Sequence, residues 1–431
     1  MEILKFDLEK HGGKFKIMNA VNNGPSHKRH AQNQPLSNLE KYKAAGIPYA
    51  RNHDASFYAP YGGEHTVDIS AIFPDFDAPV DDPASYDFAC TDEYTLVTLE
   101  AGTQTFYRLG QKIEHTIKKF HTHPPKDFKK WAQICEHIIR HFNEGWADGY
   151  ELGIEYWEIW NEPDMMSPTT WGGTQEEFFD FYEIAAKHLK SCFPDLKIGG
   201  PALAYKLDWA EEFLAEMQKR QVPMDFFSWH CYTIYPSGVI YKADSFRALL
   251  DKYGYSDTIS ILDEWAPIKN FYDDYVESLK NIAKIKGASY VMATMSEGQH
   301  SDSVDMLMYY DARPCAFNCL FNIYMDKLKG YYPFQWYSYL YNCTAEVRVD
   351  AEPDGIYTLC GVDDNDKVTA IITYYDADDN MSDKDVKIDF GKVGEYEIYL
   401  VDETHDGELI DTTTELTLCM KPNSFVLIRE K

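Results

Sequence analysis

Short apolar runs alternate with longer amphipathic stretches from about Lys14 to about Tyr341. This alternation is typical of successive βα units and a parallel sheet. The runs that suit strands are Phe15–Ala20, Pro48–Asn52, Gln104–Arg108, Glu155–Trp160, Lys197–Gly200, Asp225–His230, Thr258–Asp263 and Ala288–Met295. Eight such units predict an α/β chain with a (β/α)8 TIM barrel, in which functional residues lie at the carboxyl ends of the strands.

Helical patterns separate most of these runs. The clearest are Phe128–Asn143, Glu176–Phe193, Asp208–Arg220 and Asp273–Ile285. The segment Tyr58–Ala89 is rich in Pro, Asp and Gly and is interpreted as a long loop after the second strand, at the rim of the barrel mouth.

From Asn342 onward the apolar pattern has a period of two, which is typical of strands. Seven strands are expected there: Ala345–Val349, Ile356–Gly361, Lys367–Tyr375, Asp385–Phe390, Glu395–Val401, Glu415–Met420 and Ser424–Arg429. Residues 3–9 alternate in the same way. We therefore expect a catalytic barrel over residues 15–341 and a C-terminal antiparallel β-sandwich over 342–431, completed by an N-terminal strand within residues 1–14.

The net charge of −29 disfavours nucleic acid and anionic membranes as partners, because both would be repelled. No stretch approaches the ~18 consecutive apolar residues of a membrane span, and the N-terminus does not resemble a signal peptide. The nine cysteines include no Cys-x-x-Cys pair and are interpreted as reduced thiols. These features predict a cytoplasmic protein, and they leave open whether it forms a homo-oligomer.

The run Glu155–Trp160 ends in Asn161-Glu162-Pro163. Strand alternation would place Glu158 and Trp160 on the same face, and a residue before proline is expected to be extended. We therefore expect the carboxyl group of Glu162 to be held at a strand's carboxyl end, beside the amide of Asn161 and among indoles that could bind sugar faces.

A second apolar run, Ile259–Leu262, also stops at carboxylates, Asp263 and Glu264, which Trp265 follows. Because alternation points Asp263 and Glu264 to opposite sides, only one of them is expected to face the barrel axis. Glu162 and Glu264 follow the fourth and seventh strands, whose ends face each other across a barrel mouth. Hydrolysis of a glycosidic bond requires such a pair of carboxyl groups, one as acid/base and the other as nucleophile or base.

With these motifs the chain resembles family 39 of glycoside hydrolase clan A, the β-xylosidase and α-L-iduronidase family. The stretches that carry the resemblance are Trp157–Pro163, Pro124–Trp131, Asp225–Tyr232, Leu262–Trp265 and Ala293–Glu297. The resemblance implies that Glu162 is the acid/base and Glu264 the nucleophile of a double displacement with retention. It implies three further groups of sugar-site residues. Asn161 would bind the sugar 2-hydroxyl, Arg51 would pair with the nucleophile and keep it ionised, and His230 and Tyr232 would line the same subsite, with His53 beside them.

One stretch departs from the family pattern. The family usually carries an indole on strand eight, and the matching stretch of this chain has Ala293 at that position. We therefore expect a wider glycone subsite, or a substitute ring such as Trp265. No metal site and no cofactor is predicted. The expected substrate is a short oligosaccharide or glycoside, with an exo-acting β-xylosidase as the first hypothesis. The alternatives are an α-L-arabinofuranoside, β-glucoside or β-galactoside as substrate, transglycosylation, and a non-catalytic sugar-binding barrel.

Overall fold

The computed structural model describes residues 1–27, 29, 36–53, 67–111, 122–165 and 169–431. The first strand, β1 (Glu2–His11), lies outside the barrel. The next eight strands are parallel and close into a barrel in chain order. They are β2 (Ile17–Asn22), β3 (Tyr49–Arg51), β4 (Gln104–Leu109), β5 (Tyr156–Ile159), β6 (Lys197–Leu203), β7 (Phe226–Tyr232), β8 (Ile259–Ala266) and β9 (Met306–Tyr309). The predicted TIM barrel is confirmed.

Helices surround the barrel, and most of them present one apolar face to the strands. In chain order they are α1 (Leu39–Ala44), α2 (Ile69–Ile72), α3 (Ala89–Glu100), α4 (Phe128–Glu144), α5 (Gln175–Cys192), α6 (Leu207–Lys219), α7 (Pro236–Lys252), α8 (Tyr275–Ile282), α9 (Ile285–His300) and α10 (Tyr331–Tyr339), with short 3-10 turns at Pro83–Ser85 and Leu340–Asn342. Among the described residues, none of these helices combines the length and apolarity that a bilayer span requires.

The eighth strand was predicted in the wrong place. Ala288–Met295 lies inside helix α9, and the eighth barrel strand is the four-residue β9. Helix α9 is buried on nearly every face, because the second sheet covers the side that would otherwise meet solvent. A helix without a polar face has no 3.6-residue period, so its sequence is read as a buried strand.

The second sheet has nine strands. The strands not yet named are β10 (Ala345–Val349), β11 (Ile356–Val362), β12 (Val368–Tyr374), β13 (Lys384–Asp389), β14 (Tyr396–Val401), β15 (Asp406–Thr413), β16 (Thr417–Met420) and β17 (Ser424–Glu430). Their order is β15-β14-β17-β12-β11-β10-β1-β13-β16, so the N-terminal strand completes this sheet as expected. One pair departs from a purely antiparallel arrangement, since β1 runs parallel to β13. The exposed, polar β15 was not predicted because it has too few buried apolar residues to show a pattern.

Candidate active site

The segment after β5 turns sharply at Trp160. Trp160 has a φ of +72°, which interrupts strand alternation and sends its side chain outward. The indole packs against Trp171 and Phe181, and its Nε1 donates to the carbonyl of Thr170 at 3.0 Å. The expectation that the indoles near Glu162 bind a sugar is therefore wrong for Trp160, and Trp157 is likewise fully buried in the layer outside the barrel, against Tyr107.

Glu162 was expected to be extended, but its φ is +51°. The left-handed conformation costs a non-glycine residue about 1–2 kcal/mol, so its surroundings must hold it. Its N–H donates to the carbonyl of Ala202 at 2.8 Å, and its own carbonyl accepts a hydrogen bond from the Thr170 hydroxyl. These contacts anchor the turn that carries the Glu162 carboxylate toward the mouth of the barrel.

Asp164 anchors the adjacent loop. Its carboxylate is fully buried and accepts three backbone N–H bonds, from Ala204, Tyr205 and Lys206, at 2.8–2.9 Å. The loop after β6 is thereby tied to the turn that carries Glu162. This role was not recognised from the sequence, although an Asp directly after Glu-Pro was visible there.

Strand β8 contains a bulge at Asp263. Along the pairing with β7, Trp229 is opposite Leu262 and His230 is opposite Glu264, so Asp263 has no partner. An inserted residue interrupts the alternation of side chains. Asp263 and Glu264 both reach Arg51 inside the barrel, and the expectation that only one of them faces the axis is wrong.

Four side chains surround the Glu264 carboxylate. Its Oε1 lies 2.8 Å from Arg51 Nη1 and 3.4 Å from His53 Nε2. Its Oε2 accepts a hydrogen bond from the Tyr232 hydroxyl at 2.8 Å and lies 3.6 Å from His230 Nδ1. Glu264 is only 4% exposed, so these contacts rather than solvent set its ionisation and orientation.

Glu162 and Glu264 come together across His230. The Nδ1 of His230 is 2.8 Å from Glu162 Oε1, and one carboxylate oxygen of each glutamate lies within 4.8 Å of the other. Retaining glycosidases hold their two carboxyl groups ~5–5.5 Å apart, whereas inverting ones leave ~6.5–9.5 Å for a water molecule. Oxygens within 4.8 Å leave less room than an inverting enzyme needs for that water, which favours the retaining geometry.

Burial and charge give these groups different ionisation. Burial raises the pKa of Glu264 above its usual value, although His230, Arg51 and Tyr232 act in the opposite direction. Burial lowers the pKa of His230 to about 4, so its imidazole is neutral at pH 7 and carries one N–H. A neutral imidazole can donate to one glutamate at a time.

Asn161 and Arg51 support the pair from beneath. Arg51 Nη2 donates to Asn161 Oδ1, which directs the amide group. Asn161 is 2% exposed, and its Nδ2 has no hydrogen-bond partner among the described residues. A buried donor without a protein partner is unfavourable, and a hydroxyl of a bound sugar would accept its hydrogen bond.

Two predicted site features lie elsewhere. Trp265 is fully buried between Tyr290 of α9 and Tyr309 of β9, outside the pocket, because the bulge at Asp263 turns it outward. Ala293 belongs to α9 and is fully buried, so the predicted loss of a strand-eight indole at Ala293 is wrong. The residue that follows β9 is Tyr310, whose ring lies 6.2 Å from that of His53.

Two buried groups near the glutamates were missed. Glu158 accepts a hydrogen bond from Arg51 Nε at 2.7 Å, and Asn22 donates through Nδ2 to the main-chain oxygen of Asp263 at 2.7 Å. The inward position of Glu158 could be found from alternation along β5. That of Asn22 could not, because nothing in its neighbourhood marks it.

The other candidate ligand clusters have structural partners. His141 bonds Asp92 and the carbonyl of Trp146, each at 2.9 Å. Glu136, His188 and Cys192 bring three ligand atoms within 4.8 Å, but Glu136 already pairs with Arg140 and His188. His115 and His121, in a histidine-rich stretch whose sequence suits a polar rim of the pocket, lie outside the described residues.

Comparison with known proteins agrees with this geometry. The sequence profile of glycosyl hydrolases family 39 matches residues 32–306. A β-xylosidase of Geobacillus stearothermophilus is 38% identical over 112 residues, which are 26% of this chain and 22% of that protein. A β-xylosidase of Caldicellulosiruptor saccharolyticus is 32% identical over 183 residues, 41% of this chain and 36% of that protein. The matched stretches thus span well under half of either relative.

The whole fold also has counterparts among solved structures. A glucosidase from Croceicoccus marinus superposes with a TM-score of 0.81 at 22% identity, covering 100% of this chain and 99% of that one. At this identity the likeness shows the fold alone, while the profile match extends over more than half of the chain and includes both glutamates. The chain therefore belongs to glycosyl hydrolases family 39.

Proposed function

We propose that this chain hydrolyses O-glycosidic bonds by double displacement with net retention of configuration, with Glu162 as acid/base and Glu264 as nucleophile. The observation that carries the proposal is the separation of the two carboxylates, which brings one oxygen of each within 4.8 Å of the other. Family membership supports it, as does Asn161 Nδ2, a buried donor without a partner among the described residues.

In the first step, an Oε of Glu264 attacks the anomeric carbon while the protonated Glu162 donates its proton to the departing oxygen. The glycosidic bond breaks and a glycosyl ester forms on Glu264. Arg51 and Tyr232 hold the ionised Glu264 in position before the attack. His230 donates from Nδ1 to Glu162 once that carboxyl has lost its proton.

In the second step, Glu162 removes a proton from a water molecule, whose oxygen attacks the anomeric carbon. The ester to Glu264 breaks, and the sugar leaves with its original configuration. Asn161 Nδ2 would donate to the 2-hydroxyl throughout, and such a bond strengthens as positive charge develops on the sugar ring. Both glutamates return to their starting ionisation.

For the substrate we propose a short oligosaccharide with a terminal β-xyloside, cleaved from its end. Two relatives named as β-xylosidases support this choice. A β-glucoside, β-galactoside or α-L-arabinofuranoside would require the same two glutamates and differs only in the glycone contacts.

The test is a panel of four aryl glycosides, one for each of these sugars, incubated with the purified chain and with Glu264→Ala. We expect release of the aryl group from one substrate by the native chain and loss of turnover in the variant. Near-normal turnover by Glu264→Ala would contradict the assigned nucleophile. Sugar binding without turnover by the native chain would favour a non-catalytic barrel, and products larger than the substrate in excess acceptor would favour transglycosylation.

Azide distinguishes the two glutamates. A small anion can occupy the space left by Glu264→Gly and attack the anomeric carbon, so we expect a glycosyl azide of inverted configuration. In Glu162→Ala, azide should instead attack the glycosyl ester and give a product of retained configuration. The same product from both variants would contradict the assignment of roles.

We also propose that residues 15–341 form the catalytic unit and that residues 1–14 and 342–431 form its accessory sheet. The sheet packs on α9 through β11, β12 and β17, which makes it a support for the barrel wall. We expect a chain truncated after residue 341 to aggregate or lose activity, because α9 would then expose apolar surface.

A reducing, cytoplasmic location is proposed from the cysteines. Of the nine cysteines, Cys315 and Cys419 are exposed and form no disulfide bond among the described residues. Exposed free thiols oxidise readily outside a reducing compartment. Fractionation of the native host checks this proposal, and recovery of the chain with secreted proteins would contradict it.

A further inference from the structure

Behind Glu264, three carboxylates share one guanidinium group. Arg51 Nε lies 2.7 Å from Glu158 Oε2 and 3.2 Å from Asp263 Oδ2, and Arg51 Nη1 lies 2.8 Å from Glu264 Oε1. Arg51, Glu158 and Asp263 are fully buried. If all three carboxylates were ionised, one positive charge would face three negative charges away from water, which is strongly unfavourable.

The hydrogen bonds of the cluster show which carboxylate oxygens need a proton donor. Arg51 uses its N–H groups on Glu158, Glu264 and the amide oxygens of Asn22 and Asn161. Within the described part of the chain, both oxygens of Asp263 and the Oε1 of Glu158 then have no hydrogen-bond partner. Ionised carboxylates only accept hydrogen bonds, so two of them side by side cannot satisfy each other, whereas one proton between them can.

Among the described residues, the titratable groups around Asp263 supply no further positive charge to pair with its carboxylate. Glu158 faces it from β5, Arg51 from β3, and the neighbouring Glu264 from its own strand. From β7, His230 Nε2 lies 3.6 Å from Asp263 Oδ1, but the imidazole is neutral at pH 7. Arg51 is the single cation among these groups, and Glu158 and Glu264 already occupy it.

We propose that Asp263 is a positioning residue that stays protonated at neutral pH and donates this proton to Glu158, so that Arg51 remains paired with Glu158 and with the ionised nucleophile Glu264. The proposal rests on the proposed function of Glu264. Burial also raises the pKa of Asp263 well above its usual range. Arg51, in contrast, keeps the pKa of Glu158 below the usual value of a glutamate, although Glu158 is buried.

This arrangement explains the bulge in β8. A bulge turns the residue before the nucleophile into the barrel, where an apolar side chain would leave Glu158 with only Arg51 and the Ser228 hydroxyl as donors among the described residues. A protonated Asp263 supplies a further donor and adds no charge. Its neighbour Glu264 then competes with one other carboxylate for Arg51 rather than with two, which keeps the nucleophile ionised.

The test uses Asp263→Asn, which has the shape of a protonated aspartic acid and carries no charge. Infrared difference spectra of the native chain minus this variant, at pH 7 and without substrate, should show the C=O band of a protonated carboxylic acid. The matched control is Asp402→Asn, in the turn between β14 and β15. Although burial raises it, hydrogen bonds from His405 and Thr404 hold the pKa of Asp402 at about 2, so its difference spectrum should show ionised carboxylate bands only.

Turnover supplies the second measurement. We expect the acidic limb of the kcat/KM profile to keep its position in Asp263→Asn, because a neutral group replaces a neutral group. If Asp263 were ionised, its removal would lower the pKa of Glu264 and move this limb down by about 1–3 pH units. Such a shift, or ionised carboxylate bands in the Asp263 difference spectrum, would overturn the proposal.

Two further outcomes are informative. Asp263→Ser keeps a smaller neutral donor, and failure of both this variant and Asp263→Asn to fold would also overturn the proposal, because a neutral donor should be tolerated here. The infrared measurement needs no substrate. A protonated Asp263 in a chain that cleaves no glycoside would therefore contradict the proposed function but support the proton shared by Asp263 and Glu158.

Discussion

The hydroxyl of Tyr232 provides a direct test of how Glu264 is kept ionised. It donates to Glu264 Oε2 at 2.8 Å, and the ring is held between Phe271 and Phe317, at 5.3 and 6.3 Å between ring centres. Tyr232→Phe removes the donor and keeps the ring with its aromatic contacts. His230 Nδ1 lies 3.6 Å from Oε2, which is too far to replace the lost bond.

The size of the effect follows from the kind of bond. A hydrogen bond to a charged group contributes ~1.5–3 kcal/mol. Each pKa unit corresponds to about 1.4 kcal/mol, so loss of the bond should raise the pKa of Glu264 by about 1–2 units. Glu264 reacts as the ionised form, which is present above its pKa. A further rise therefore moves the acidic limb of kcat/KM to higher pH, and the rate at pH 5 should fall more than the rate at pH 8.

The assay is the pH dependence of kcat/KM on the best aryl glycoside, measured for the native chain and Tyr232→Phe. The matched control is Tyr275→Phe, which changes a hydroxyl in the same aromatic cluster, 5.7 Å from Phe271, without touching either glutamate. We expect this control to leave the limb in place. An acidic limb that stays fixed or moves to lower pH in Tyr232→Phe would refute the assignment of Glu264 as the ionised nucleophile.

Three other substitutions test separate parts of the structure. Asn161→Ala removes the Nδ2 donor and should lower kcat/KM by ~10–100-fold on a glycoside that has a 2-hydroxyl. It should have little effect on the 2-deoxy analogue, and equal losses on both substrates would contradict the proposed contact. Trp265→Phe should lower the unfolding free energy by ~1–3 kcal/mol in thermal denaturation, because this side chain packs on Tyr290. KM should stay unchanged, and a raised KM would indicate that Trp265 contacts the substrate. Asp164→Ala should lower both Tm and kcat, because three N–H groups beside the turn of Glu162 lose their acceptor. Asp164→Asn keeps an acceptor oxygen and should show a smaller loss of both. An unchanged kcat in Asp164→Ala would show that the loop does not position Glu162.

The sequence was sufficient for the barrel and for the meeting of the two glutamates. Seven of the eight barrel strands are apolar runs bounded by turn residues, so a period could be assigned to each. The eighth failed because β9 has only four residues, while the fully buried α9 imitates a strand. Burial of α9 depends on strands more than fifty residues away in the chain, which no local pattern contains.

The details of the site depended on backbone irregularities. The left-handed φ of Trp160 and Glu162 and the bulge at Asp263 each reverse the face that strict alternation assigns to a side chain. Alternation does hold for Glu158, which lies within the regular part of β5 and faces Arg51 inside the barrel, although it was not predicted as a site residue. It failed for Trp160, Asp263 and Trp265, which lie where the regular pattern ends.

The configuration of the first sugar released tests the central claim most directly. A β-glycoside can be mixed with the chain in deuterated buffer and the anomeric proton followed by NMR before mutarotation obscures it. Two displacements at one carbon, through Glu264 and then water, predict that the β-anomer forms first. First appearance of the α-anomer would mean a single displacement by water and would contradict the roles assigned to Glu162 and Glu264.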